Sequence, residues 1–164
     1  MTPAPAASGA RTAAPLSDLP SALRDEPALA QVLGRSSATL AVPESARALV
    51  TAGLSRLTQR RPLVLAVPTS TEAERVAHDL AAFLGDEAVE LFPAWETLPF
   101  ERVSPGVETM GRRLRVLWRL HEPERAPAVV VASVRALVER LGPHVDDVAP
   151  ITVRPGLRID RDDL

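Results

Sequence analysis

The chain is predicted to be an α/β domain, a parallel sheet with helices on both faces, and three observations carry that expectation. Apolar strand-like runs alternate with amphipathic segments over units of roughly 30 residues, the spacing of strand–helix–strand crossovers. The run Ala128-Val-Val-Val-Ala132 has no polar alternation, as a strand covered on both faces should read. Thr69-Ser-Thr-Glu72 and Gly85 bracket a helical stripe with a start and a stop signal.

The elements follow in order. Residues 1–15 (MTPAPAASGARTAAP) hold too few large apolar side chains to offset the entropy of ordering them, and are expected to be a flexible tail. Residues 16–153 are the α/β domain. It opens with one or two short helices from Leu19 to Leu33, interrupted at Pro27 and ending near Gly34. A first short strand is expected at 39–42. Ser45 then caps a helix with Ala46, Leu49, Val50, Gly53, Leu54 and Leu57 on one stripe. Leu63-Val-Leu-Ala-Val67 is the clearest strand. The helix after it carries Ala73, Val76, Ala77, Leu80 and Leu84 at helical spacing.

Another strand, Val89-Glu-Leu-Phe92, runs into a connector that holds Trp95 and Phe100 and is broken by Pro93, Pro99 and Pro105. Neighbouring elements are expected to pack around Trp95. The next helix is predicted to bury Met110, Leu114, Leu117 and Trp118, with Arg112, Arg115 and Arg119 about half a turn away. After the 128–132 strand come a short helix at 134–141 and a weaker strand at 148–153. Residues 154–164 read as a linker and the truncated start of a next domain. Asp160, Asp162 and Asp163 suit the first turn of a helix that does not follow, so the chain is expected to be the leading piece of something longer.

Composition removes several functions. Cysteine is absent, which excludes thiolate catalysis, disulfides and cysteine zinc sites and is compatible with a cytoplasmic protein. No run approaches the ~18 apolar residues of a membrane span, so no membrane partner is expected. All nineteen basic residues are arginine in a chain of net charge −2, unlike an autonomous nucleic-acid binder. A GxxxxGK[ST] phosphate loop needs the lysine this sequence lacks. The turn where such a loop would stand offers Ala41 and Ala46 for its glycines, Arg47 for lysine and Ala48 for the hydroxyl, with Glu44 adding negative charge. A plain strand-to-helix turn is expected there, with no bound cofactor.

His78, His121 and His144 are isolated, and the aspartates near the end lack the glycine and distal glutamate of a calcium loop, so no metal site is expected. No GxSxG-like elbow supports acyl transfer. Arg112, Arg115 and Arg119 are either a solvated face or a contact surface for an acidic protein or a nucleic-acid backbone. Arg113 falls at the edge of the apolar arc and needs a carboxylate, with Glu96 or Glu101 the expected partner, latching the connector to the helix.

The run Leu91-Phe-Pro-Ala-Trp-Glu-Thr-Leu-Pro-Phe-Glu-Arg-Val-Ser-Pro105, with Arg113-Leu114 three residues ahead of Leu117, resembles the amino-terminal module of the bacterial transcription-repair coupling factors, the Mfd family. PLVLAVPTSTEAERVAHDLAAFLG before it and VVVASVRALVERL after it fall in the expected order, so the resemblance covers about residues 16–164. It extends more distantly to the first domain of the excision-nuclease subunit UvrB. The resemblance implies a P-loop, helicase-like fold with a degenerate phosphate loop at Ala41 to Ala48. It implies no damage-probing hairpin, since the connector from Trp95 to Thr109 is short and has no tyrosine.

Full-length members of the family are ATP-driven DNA translocases that displace stalled RNA polymerase and recruit UvrA. ATP, DNA and RNA polymerase are bound by domains that do not correspond to this stretch, and UvrA by the complete module. The expected role is therefore a non-catalytic scaffold that docks adjoining domains through the Trp95 loop. The enzyme alternative is a small P-loop-like nucleotide hydrolase or phosphotransferase, and a third reading is a free-standing nucleic-acid binder.

Overall fold

The computed structural model describes residues 16–58, 60–97, 104–142, 145, 150–151 and 154–156. The tail at 1–15, Glu101, His144, the acidic cluster at Asp160, Asp162 and Asp163, and most of the strand expected at 148–153 lie outside the described residues.

Strands β1 (Leu63–Val67), β2 (Val89–Phe92) and β3 (Val129–Ser133) form one parallel sheet in the order β1-β3-β2. Leu63 and Val89 stand level with Val129 on its two sides, which fixes the register of both ladders. β3 takes the centre, and all five of its residues are buried, as suits a strand covered on both faces. β1 lies at an edge and shows it, with Val64 59% exposed.

Helix α4 (Ser70–Leu84) carries the chain from β1 across β3 to β2, and α5 (Val107–His121) carries it back from β2 to β3. Crossovers of one hand that step in opposite directions place their helices on opposite faces. The packing agrees. Ala73, Val76 and Leu80 of α4 form one core with Val129 and Val131, while Val116 of α5 forms a second with Val130, Ala132 and Phe92. Helix α3 (Arg47–Leu57) joins the α4 side, and α6 (Val134–Val138), shorter than the expected 134–141, joins the α5 side through Ala136. Helices therefore cover both faces, as expected.

The start and stop of α4 are those read from the sequence. Thr69 Oγ1 accepts from Glu72 N at 3.2 Å, and Gly85 closes the helix at φ 89, a left-handed conformation that favours glycine. Before it, α1 (Leu19–Ala22) and α2 (Pro27–Val32) break at Pro27 as predicted, and the segment turns at Gly34 with φ 80.

Two expectations are corrected. Residues 39–42 form no strand: Thr39 and Ala41 are exposed, Leu40 and Val42 half-buried, and Pro43, which has no N–H for a ladder, leads into a single 3-10 turn at Glu44–Ala46. Two large apolar residues are too few to hold a strand in a sheet against its solvation. In α3 Gly53 of the expected stripe is buried, but its leucines are half-buried and the other fully buried residues are Ala48, Ala52 and Ser55. Small residues let α3 approach its neighbours closely; a Cβ on Gly53 would lie 2.7 Å from Leu23 Cδ1. No described helix is long and apolar enough to cross a membrane.

Candidate interaction site

The turn that would cradle phosphate is engaged elsewhere. Arg47 Nη1 lies 2.5 Å from Glu72 Oε1, and Glu44 pairs with Arg75, both acceptors and donors reaching between the turn and α4. The hydrogen bond from Arg75 holds the Glu44 carboxyl below the usual glutamate value. Ala48, where a Mg²⁺-binding hydroxyl would stand, is buried in the core. Glu72 thus serves Arg47 and does not close the reciprocal half of the capping box.

The aromatic connector is tied down by arginines. Arg113 is 2% exposed, with its guanidinium carbon 4.2 Å from the centroid of Phe92 and 4.3 Å from that of Trp95. Its Nη1 donates to Pro93 O at 2.7 Å and to Glu139 Oε2 at 3.1 Å. The same Glu139 oxygen accepts from Trp95 N, and the other accepts from Arg135 Nε. Arg135 Nη2 in turn donates to Trp95 O and Thr97 O. Burial pulls the Arg113 guanidinium below its ordinary value, opposed by Glu139. Two aromatic faces stabilise a desolvated guanidinium by about 2 kcal/mol each, and the carboxylate compensates the remaining cost of burying the charge.

Arg113 ties the helix to the connector through Pro93 O and the Trp95 ring, and the carboxylate it meets among the described residues is Glu139, not Glu96. Glu101 lies outside the described residues. Glu96 instead closes the base of the connector, accepting from Gly106 N at 3.4 Å and from the Thr109 hydroxyl. That hydroxyl bond is the main reason the Glu96 carboxyl sits below the ordinary 4.5.

The arginine face of α5 is also corrected. Its buried residues are Arg113, Val116 and Arg119, so the helix is turned by more than a third of a revolution, at ~100° per residue, from the predicted Met110–Leu114–Leu117–Trp118 arc. The cause is Glu90. On β2, Val89 and Leu91 pack toward α4, which leaves Glu90 and Phe92 facing α5. Glu90 Oε1 accepts from Arg119 Nη1 at 2.6 Å and Arg115 Nε at 2.9 Å, and Arg119 also donates to Arg125 O and Glu87 O. Arg119 is consequently 8% exposed and withdrawn from any contact surface, while Arg112 pairs with Glu108 one turn away. Of the predicted trio only Arg112 and Arg115 remain outside.

Sequence reasoning missed Glu90, Arg125, Arg135 and Glu139. A carboxylate in mid-strand between apolar neighbours, and the i,i+4 pair Arg135–Glu139, were the available signals. No cluster of three or more potential metal ligands occurs among the described residues.

Fold and site together define a parallel α/β domain that presents an arginine-clamped aromatic connector and ties its helix-entry turn into ion pairs. No protein-family model matches the chain. Transcription-repair-coupling factors of Mycobacterium bovis and Mycobacterium tuberculosis are 44% identical to it over 123 residues, covering 72% of this chain and 10% of each relative. That of Escherichia coli K12 is 31% identical over 104 residues, covering 63% of this chain and 9% of the relative. The chain belongs to the transcription-repair-coupling factor family, as its connector motif implied, and spans about a tenth of the length of the curated relatives it matches.

Proposed function

We propose that this chain is a non-catalytic scaffold within a transcription-repair-coupling factor, a helicase-like domain whose phosphate loop has lost its grip. The observation that carries this reading is the pairing of Arg47 with Glu72 and of Glu44 with Arg75. The cation standing where a phosphate-binding lysine would stand is already neutralised, and a carboxylate shares the turn. A triphosphate would have to break both pairs and accept the repulsion of Glu44 and Glu72.

The scaffold role rests on the connector. Trp95, fixed by Glu139, Arg113 and Arg135, is a rigid aromatic feature on which an adjoining domain of the longer protein docks. Through that docking the chain contributes to the surface that recruits UvrA, while ATP hydrolysis, DNA translocation and displacement of RNA polymerase belong to other domains.

The test uses Mg-ATP and the chain as it stands. No rise in melting temperature and no phosphate release are expected; a rise of several degrees would favour the P-loop-like hydrolase or phosphotransferase instead. In a full-length family member, Trp95→Ala is expected to weaken UvrA association and leave ATP hydrolysis unchanged. Unaltered UvrA association would remove the scaffold role.

A further inference from the structure

With α5 turned toward Glu90, Leu117 packs on the core while the rest of its apolar arc is left incompletely buried. Met110 is 39% exposed, and Leu114 and Trp118 are half-buried along one wall of a groove of about 690 Å3. Arg115 and Arg125 stand on its rim. The Arg125 guanidinium lies 4.8 Å over the Trp118 ring and has no carboxylate within ion-pair distance among the described residues. Arg115 gives its Nε to Glu90, and its Nη2 reaches only Glu87 at 3.9 Å, whose side chain is 88% exposed. The rim therefore offers guanidinium N–H groups that no described residue uses.

Gly111 supplies a second, independent observation. It sits inside α5, where glycine costs helix stability, yet nothing lies within 4 Å of where its Cβ would be. Neither backbone conformation nor internal packing requires glycine here. What the missing side chain preserves is the open space of the groove, which Gly111 lines beside Leu114 and Trp118.

We infer that this groove is a docking site for an acidic peptide segment of a partner protein, one in which a bulky apolar residue adjoins carboxylates. The apolar residue enters between Leu114 and Trp118 over Gly111, and the carboxylates take the free N–H groups of Arg125 and Arg115. Tryptophan and arginine side by side are the residue types that dominate binding energy at protein interfaces. Charge complementarity selects the acidic partner. A nucleic-acid strand is disfavoured because the exposed Glu87 carboxylate lines the groove beside Arg115, and a strand of evenly spaced phosphates cannot avoid it as a short peptide can. The surface is distinct from the Trp95 connector, on another side of α5, and does not depend on the scaffold reading.

The test is a titration of the isotope-labelled chain with a synthetic peptide of about twelve residues, one phenylalanine flanked by aspartates in a serine–glycine background, followed by NMR. The indole N–H signal of Trp118, assigned with Trp118→Phe, is expected to shift while that of Trp95 stays. Arg125→Ala is expected to weaken binding about tenfold, the scale of one charge-assisted contact. Gly111→Leu, whose Cβ would have nothing within 4 Å and whose side chain would fill the groove, is expected to abolish binding with the signals outside the groove intact. The inference is overturned by no shift at millimolar peptide, by undiminished binding to Gly111→Leu, or by equal binding of a phenylalanine-to-serine peptide. Tighter binding of a single-stranded thymidine oligonucleotide overturns it as well.

Discussion

On the α3–α4 side of the sheet, the strands meet Ala48, Ala52, Ala73, Val76 and Leu80; on the α5–α6 side they meet two buried guanidinium groups. The first interface is dry and held by apolar area at roughly 25 cal/mol per Å². The second adds to a smaller apolar cluster around Val116 and Ala136 directional bonds from Arg113 and Arg119 to carboxylates and backbone carbonyls. Removing a methyl group from the first leaves a void; removing an acid from the second leaves a buried charge. The two faces should therefore fail in different ways, the first in proportion to lost volume and the second according to which partner is lost.

The largest effect is expected from Leu80→Ala, since Leu80 is fully buried in the dry core. A loss of about 3–4 kcal/mol in urea unfolding is predicted, and a loss under 1 kcal/mol would mean that α4 repacks freely. The next test separates the partners of the charged face. Glu139→Ala strands Arg113 and should cost about 2–3 kcal/mol, whereas Glu139→Ala combined with Arg113→Met removes both charges and should recover most of that loss. Additive losses in the double variant would show that the ion pair does not link α5 to α6.

The smallest effect sharpens the comparison at the connector's base. Glu96 has a depressed pKa in the folded chain because the Thr109 hydroxyl donates to it. Its contribution is thus present above the ordinary glutamate value of 4.5 and is lost as pH falls through the lower folded value. Thr109→Val should flatten the decline in melting temperature between about pH 5 and pH 3. An unchanged profile would place the acid sensitivity elsewhere, with Glu44 and its partner Arg75 the next pair to test.

The α4 side was legible in the sequence because its stripe is made only of apolar residues. Hydrophobic spacing and burial coincide at Ala73, Val76 and Leu80. The α5 side was not, because periodicity ranks side chains by apolarity and places arginine outside. There the helix orientation is set by a single acid on the neighbouring strand, Glu90, and a one-dimensional pattern does not reveal which strand residue will face which helix. Arg113 was legible as a latch because its position on the arc demanded a carboxylate. Glu96 was favoured because it is nearer in sequence, while Glu139 arrives only through the return of the chain along β3. The expected 39–42 strand failed on its count of large residues, two, against the four aliphatic residues of Leu63–Val67 that are larger than alanine.

The strand order carries a consequence for biosynthesis. Among the described residues β1 and β2 do not pair with each other; each is laddered to β3, which is the last of the three to be made. On the ribosome, both earlier strands wait without a ladder until Val129–Ser133 has cleared the exit tunnel. Until then the waiting apolar runs are the natural clients of a chaperone.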